Sequence, residues 1–405
     1  MSVRRILFVD DEQNVLEGLR RGLRARRHDW EMTFVQSGAD AVAAAAETPF
    51  DVLVTDMRMP AMNGAELLER FREAHPETAR FVLSGQAELE HVMRAVPLAH
   101  QYLSKPCEPG ALDGVIERAI RLKDRLGDGR CQEVLGEIEG LPSLPDTYVA
   151  ITEALGDPDS DIETIARIVE RDMAMCAKLL QLVNSAFFGL PRQVTDVAQA
   201  AKFLGLSMIR DLVLTVEVFR PPADAGTETS ALLADLQSRA TWTGGLARRM
   251  FSDRVAAGRA FTAGVLHDIG LVVYATRLPE RLQECLVWAR EKQRSLPDAE
   301  AELFAAGHGE IGAYLLGLWG LPYPILEAVA YHHRPAELPH EEFGDLAAVH
   351  VAAALVEART PGCTSAGIPP APLDTGYLER IGVAGRLSEW EEMADADSGG
   401  GSGDD

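Results

Sequence analysis

The chain has 405 residues, enough for two or three domains that each bury a core. Its formal net charge of -23 sets 62 acidic residues against 39 basic ones. Approach to a phosphate backbone or an anionic lipid surface is therefore repulsive, which disfavours nucleic acid as a partner. Five scattered cysteines, Cys107, Cys131, Cys176, Cys285 and Cys363, form no Cys-x-x-Cys pair and read as reduced thiols. The four apolar residues from Ile6 to Val9 are too few for a secretory signal, and no run approaches the ~20 residues of a membrane span. These features predict a cytoplasmic protein without a membrane partner.

From the N-terminus, short β-type runs alternate with helical patterns. The runs are Ile6–Val9, Met32–Val35, Val52–Thr55, Arg80–Leu83 and Gln101–Leu103. Ala-, Leu- and Arg-rich stretches with three- and four-residue apolar spacing separate them. This rhythm predicts a parallel sheet covered by helices on both faces, in the doubly wound flavodoxin-like order. Ligands of such sheets bind beyond the carboxyl ends of the strands.

Those ends carry the chemistry. Asp10 and Asp11 end the first strand, Asp56 the third, Ser84 the fourth and Lys105 the fifth. Three carboxylates in one crevice repel unless a hard cation neutralises them, and Mg²⁺ suits a few carboxylates and several waters. With Lys105 adding positive charge and Ser84 a hydroxyl, Asp56 is placed to attack phosphorus and form an aspartyl phosphate. A single strand-end aspartate is ordinarily a cap or turn former; five strand-end residues in register are a different signal.

Beyond Arg125 the pattern changes. Gly127-Asp128-Gly129 breaks a helix, and from Cys131 onward helical periodicity dominates, with apolar stripes at Ile162, Ile165, Ile168 and Val169 and at Leu179, Leu182 and Val183. A Pro-, Ala-, Gly- and Thr-rich stretch from Arg220 to Ser230 reads as a loop dividing this half. Six of the ten histidines fall from His267 onward: His267, His308, His332, His333, His340 and His350. With Asp268 they could hold a transition metal that acidifies water for phosphoester hydrolysis. They are also explained as helix-end residues, His267-Asp268 as a cap and His332-His333 at the negative end of a helix dipole.

Two resemblances bear on these residues. Residues 1–125 resemble the response-regulator receiver domain through Val9-Asp10-Asp11, Asp56-Met57-Arg58-Met59-Pro60, Asn63-Gly64, Leu83-Ser84-Gly85 and Lys105-Pro106. The resemblance implies Asp56 as phosphoacceptor, with Lys105 and Ser84 serving the reaction. It implies Asp10, Asp11, Asp56 and the backbone carbonyl of Arg58 as Mg²⁺ ligands, a cis peptide bond before Pro106, and Ser84 with Tyr102 as the switch pair. A sensor histidine kinase is the implied phosphodonor.

Residues from about 133 to 355 resemble the HDOD module, an HD-related all-helical output domain. The matching stretches are Leu141-Pro142-Ser143-Leu144-Pro145, the Lys178–Ala186 segment, Phe188-Gly189, Phe203-Leu204-Gly205, the Gly264–Gly270 segment, Trp319-Gly320-Leu321-Pro322 and His332-His333. Relatives that hydrolyse phosphoesters place a further His upstream, here near Arg239, and a late Asp, for which the Val349–Ala353 segment has no match. Cyclic-di-GMP phosphodiesterases of this class carry a Lys after His-Asp-Ile-Gly and a Gly-Tyr-Pro signature; here Leu271 and His332-His333-Arg334-Pro335-Ala336 stand in those places.

An arginine near an incomplete ligand set repels a cation. The helical half thus reads as a non-catalytic module that holds no metal and binds a downstream protein or small ligand. His267, Asp268, His308, His332 and His333 would be its vestigial HD site. The alternative is a receiver-gated, metal-dependent phosphohydrolase or cyclic-di-GMP phosphodiesterase using those residues.

The expected layout is a receiver over 1–125, a linker over 126–132, an HDOD module over 133–386 and a disordered acidic tail over 387–405. The helix from Leu112 to Leu126 is the expected mechanical link. No basic recognition helix points to DNA, and a homodimer stays open.

Overall fold

The computed structural model describes residues 3–85, 99–105, 109–126, 145–157, 160–184, 193–215, 227–304, 306–360 and 367–398. The first unit contains β1 (Arg4–Val9), α1 (Gln13–Gly22), β2 (Trp30–Val35), α2 (Gly38–Glu47) and β3 (Val52–Asp56). It continues with α3 (Gly64–Ala74), β4 (Ala79–Gly85), β5 (Gln101–Lys105) and α4 (Pro109–Leu126). All strand pairings are parallel, in the order β2-β1-β3-β4-β5. Every residue of β3 is buried, as expected where helices cover both faces of a parallel sheet, while edge strand β2 is mostly half-buried.

Register brings the reactive ends together. Val9 pairs with Thr55, Asp56 with Leu83, and Gly85 with Lys105, so Asp10 and Asp56 leave neighbouring strands side by side and Lys105 leaves the same end of the sheet beyond β4. The start of α3 is set by a capping box: Asn63 Oδ1 accepts from Glu66 N, and Glu66 Oε2 accepts from Asn63 N. Gly64 is needed for a second reason, since a Cβ there would overlap the Asp56 carbonyl oxygen.

The second unit is helical throughout the described residues. Its first part holds α5 (Pro145–Gly156), α6 (Ile162–Val169), α7 (Met173–Val183) and α8 (Val197–Thr215), the last kinked at Gly205 with φ 74°. The central part holds α9 (Thr227–Arg249), α10 (Arg254–Leu266), α11 (Ile269–Arg277), α12 (Pro279–Lys292) and α13 (Leu296–Leu303). The final part holds α14 (His308–Leu318), α15 (Tyr323–Tyr331), α16 (Asp345–Arg359), α17 (Thr375–Arg380) and α18 (Leu387–Ser398). Asp161, Asp172, Asp253, Ser295 and Asp374 each cap a helix by accepting from a backbone N–H of its first turn.

In α6, Ile165 and Val169 carry the burial and Ile162 and Ile168 flank them, whereas α7 is buried on every side, Lys178 and Gln181 included. Helix α7 packs against α8 and α10 of its own module, and Gln181 reaches the receiver at His100. Asn184, at its C-terminus, holds the returning chain like a peptide group. Its Nδ2 donates to Val194 O and its Oδ1 accepts from Val194 N, both at 2.7 Å.

The two units meet over a continuous apolar core. Helix α4 packs against α14. On its receiver side α4 is tied down by Arg26, whose guanidinium donates twice to Asp113 at 2.7 and 3.0 Å. Gln181 Nε2 donates to His100 O at 3.0 Å, and Gln101 Nε2 donates to Gly317 O at 3.4 Å. The expected link through the helix from Leu112 to Leu126 thus lies in a packed junction.

Three expectations need correction. The region 387–405 is not a featureless tail: α18 occupies Leu387–Ser398 and seats Trp390 in a second core with Leu246, Val351 and Tyr377. Only one apolar face was needed for this, and the surrounding acidic residues masked it. Residues 399–405 lie outside the described residues, as do the proposed linker residues 127–132. The Arg220–Ser230 loop is shorter than expected, because α9 already begins at Thr227; residues 216–226 are likewise outside the description.

The third correction concerns hydropathy. Arg254–Arg277, 24 residues across α10 and α11, is long and apolar enough to cross a membrane, with mean hydropathy 1.2 in its best window. That window is 78% buried inside the fold, and His267-Asp268 interrupt the stretch.

Candidate functional site

The receiver crevice forms where β1, β3 and β5 end. Asp10 and Asp56 are both buried, and the Lys105 ammonium reaches between them, 2.7 Å from Asp10 Oδ2 and 2.5 Å from Asp56 Oδ1. Backbone donors complete the cradle: Glu12 N reaches Asp10 Oδ1 at 3.0 Å and Arg58 N reaches Asp56 Oδ2 at 2.9 Å. Burial raises the pKa of both carboxyls even with Lys105 beside them. Burial works against the Lys105 charge too, but hydrogen bonds and attraction from Asp10 and Asp56 prevail and raise its pKa.

Two buried carboxylates around one ammonium form a hard oxygen set that suits Mg²⁺. Asp11 follows Asp10 on the exposed rim, and Arg58 is likewise exposed. Ser84 and Tyr102 sit in β4 and β5, but their side chains lie outside the described residues, as does Pro106.

The second site lies in the helical unit. His267 and Asp268 sit at the α10–α11 junction, His308 starts α14, and His332 and His333 follow α15. Asp268 is the N-cap residue of α11 yet makes no side-chain capping bond; its carboxylate turns toward the histidines instead. Asp268 Oδ1 is 3.3 Å from His308 Nε2 and 3.6 Å from His332 Nε2, and its Oδ2 is 3.3 Å from His267 Nε2. His308 Nε2 is in turn 3.4 Å from His332 Nε2 and 3.2 Å from His333 Nε2. The convergence needs Gly270, because a Cβ there would overlap the His308 carbonyl and force α11 from α14.

Three of the outward nitrogens are fixed by acceptors. His267 Nδ1 donates to Gly264 O at 2.7 Å, His332 Nδ1 to Val329 O at 2.8 Å, and His308 Nδ1 to the Glu300 carboxylate at 2.7 Å. Burial pushes His267 down to about 4 and His333 well below the ordinary histidine value. For His308 burial is outweighed by Glu300 and Asp268, which hold it up at about 10. Burial also works against Asp268, yet the neighbouring imidazoles keep its pKa well below the usual carboxylate range.

A shallow cleft opens beside the cluster and is lined by Arg239, Thr243, Leu271, Glu357 and others. Arg239, the residue in place of the upstream His, therefore reaches the same cleft. His350 stands one layer back, donating from Nδ1 to His332 O at 2.6 Å and accepting from Asp374 N at 3.0 Å. His340 pairs with Glu327 at 2.7 Å, apart from the cluster. Sequence reasoning missed Glu300, Thr243 and Glu357. Glu300, between two alanines eight residues before His308, carries no local signal of its role.

A family model for the response regulator receiver domain matches residues 6–117, and one for the HDOD domain matches residues 141–335. The chain is a response regulator with an HDOD output domain. The response regulator is 34% identical over 165 residues to a response regulator receiver protein of Anaeromyxobacter sp. (strain Fw109-5), covering 38% of this chain and 67% of that protein. It is 29% identical over 210 residues to an uncharacterized protein of Treponema pallidum, covering 51% and 40% of the two chains. It is also 34% identical over 125 residues to the hydrogenase transcriptional regulatory protein HoxA of Cupriavidus necator, covering 30% and 25%.

The response regulator thus spans well under two thirds of the last two relatives. Among solved structures, a virulence factor of Campylobacter jejuni shares its fold with TM-score 0.50 at 18% identity, covering 68% of this chain and 99% of that one.

Proposed function

We propose that this response regulator is switched by phosphorylation of Asp56 and acts through an HDOD module that binds a downstream protein or small ligand without catalysis. The phosphodonor in this reading is a sensor histidine kinase, and the setting is the cytoplasm. One observation carries it: the buried Asp56 carboxylate stands beside Asp10 with the Lys105 ammonium 2.5 Å from its Oδ1.

Receiver domains in general bind Mg²⁺, and here Asp10, Asp11, Asp56 and the Arg58 carbonyl would hold it. The metal supplies charge neutralisation for an incoming phosphoryl group. An Asp56 oxygen attacks the phosphorus of the kinase's phosphohistidine, the O–P bond forming as the P–N bond breaks and the imidazole leaves with a proton, while Lys105 follows the negative charge onto the phosphoryl oxygens. Ser84 and Tyr102 are the proposed switch pair. Transmission runs through α4 and α14. Gly317, near the C-terminal end of α14, meets the receiver through Gln101, while His308 at its other end reaches the histidine cluster. At about 1.5 Å per residue, the two lie about 14 Å apart along one rigid element. The module limits that fit this route are a receiver over 1–125, a linker over 126–132 and an output unit from 133 through α18.

The test is intact-mass measurement after incubation with Mg²⁺ and a small-molecule phosphodonor. One phosphoryl group should add to the wild-type chain and none to Asp56→Asn. Equal labelling of the two proteins would overturn the assignment. A second reading, a receiver-gated phosphohydrolase, is favoured by the convergence of His308, His332, His333 and Asp268. Turnover of cyclic-di-GMP by the metal-supplied protein would establish it, and the lack of turnover would remove that substrate.

A further inference from the structure

The convergence in the helical unit has a specific size. A tetrahedral ion with metal–nitrogen and metal–oxygen bonds of about 2.0–2.1 Å sets its ligand atoms about 3.3–3.4 Å apart. The separations measured here are 3.2 Å for His333–His308, 3.4 Å for His308–His332, 3.3 Å for Asp268–His308 and 3.6 Å for Asp268–His332. All four ligand atoms lie within 4.8 Å of one another. We infer that Asp268 Oδ1 and the Nε2 atoms of His308, His332 and His333 form a site for one divalent transition-metal ion.

The hydrogen bonds on the outward nitrogens favour a cation. His332 Nδ1 is committed as a donor to a carbonyl, so Nε2 is the nitrogen left to face inward. The Glu300 carboxylate engages His308 Nδ1 in the same way, leaving His308 Nε2 aimed at the common point. Carboxylate and carbonyl acceptors on the far side of metal-bound imidazoles are the usual means of fixing ring tautomer and orientation. The Nε2 atoms of His308, His332 and His333 and Asp268 Oδ1 all converge on one point. A cation there gives these four converging ligand atoms one common partner. Imidazole with one carboxylate suits zinc and its neighbours rather than a hard ion held by oxygen alone.

This departs from the sequence reading, in which a missing upstream His and a missing late Asp left the module without metal. The four ligands close around one point without either position. Arg239 lines the adjoining cleft rather than supplying a ligand, and His350 points away to hold the His332 carbonyl. Thr243, which also lines that cleft, is buried with its hydroxyl unpaired.

The full chain, stripped with a chelator and desalted, is titrated with Zn²⁺ against a chromogenic competitor, and separately with Co²⁺ followed by visible absorption. The expected result is one equivalent of Zn²⁺ per chain and an intense four-coordinate Co²⁺ band. His333→Ala, at a half-buried position that should leave the fold intact, should lose the band and most of the affinity. Glu300→Gln, which alters only the group orienting His308, should lower affinity about 10–100-fold with the metal-free unfolding midpoint little changed. Absence of stoichiometric Zn²⁺ in the folded wild-type chain, or equal Zn²⁺ affinity in wild type and His333→Ala, would overturn the site. Phosphorylation of Asp56 is read separately by mass, so either result leaves that reading to its own test.

Discussion

The side-chain amide of Gln181 donates to the main-chain carbonyl of His100 at 3.0 Å, so the output module grips the receiver one residue before β5. Lys105, which bridges Asp10 and Asp56, ends that same strand. A movement of β5 on phosphorylation would therefore be felt by α7 directly and by α14 through Gln101.

Gln181→Ala removes this donor from a buried junction. The expected loss is about 0.5–1.5 kcal/mol of stability, with faster amide exchange in β5 and α4. Urea unfolding and hydrogen exchange of the full chain measure both. Unchanged exchange in β5 would mean that the bond does not hold the modules together.

Lys105→Ala leaves two buried carboxylates without their shared counter-charge. Removal of one partner from such a cluster costs at most about 3–5 kcal/mol, and Mg²⁺ should restore part of it. Thermal unfolding with and without Mg²⁺ checks this, and the Mg²⁺-dependent gain should be larger in the variant than in the wild type.

Lys178 lies buried on α7, its ammonium 5.8 Å from the Trp319 ring centre, and burial lowers its pKa from 10.5 to about 7. Below about 7 the lysine is protonated in both states and the full cost of burying its charge is present. Between about 7 and the unfolded value, only the unfolded chain holds the proton, so stability from this group rises with pH. Lys178→Met should remove that rise and stabilise the protein on the acid side. Denaturation midpoints measured on either side of neutrality would show the two curves converging toward alkaline pH.

Trp390 is fully buried, with its ring 5.3 Å from that of Phe343 and the Arg386 guanidinium 4.9 Å above it. Trp390→Ala should destabilise the helical unit by about 3–5 kcal/mol, as for other large core aromatics. Truncation after Arg386 should do at least as much. If the truncated chain unfolded at the wild-type midpoint, α18 would be an ornament on the core rather than part of it.

Local patterns determined much of this protein. The apolar run Ile6–Val9 ending in Asp10, and Val52–Thr55 ending in Asp56, identify parallel strands with carboxylates at the ligand-binding edge. Each residue there lies next to the strand that positions it, so sequence neighbourhood and function coincide. The His267-Asp268 and His332-His333 pairs were legible as chemistry and, through the family resemblance, as parts of one vestigial site; which of their atoms would meet was not. Whether Asp268 caps its own helix or faces three imidazoles depends on the close passage of α11 and α14 at Gly270. That contact joins residues about forty apart in the chain. Glu300 orients His308 through the same kind of distant packing, and Trp390 finds its core across the α9 and α16 helices. Periodicity records which face of an element is apolar. Which elements then meet, and which nitrogen each acceptor fixes, are set by long-range packing that no local window contains.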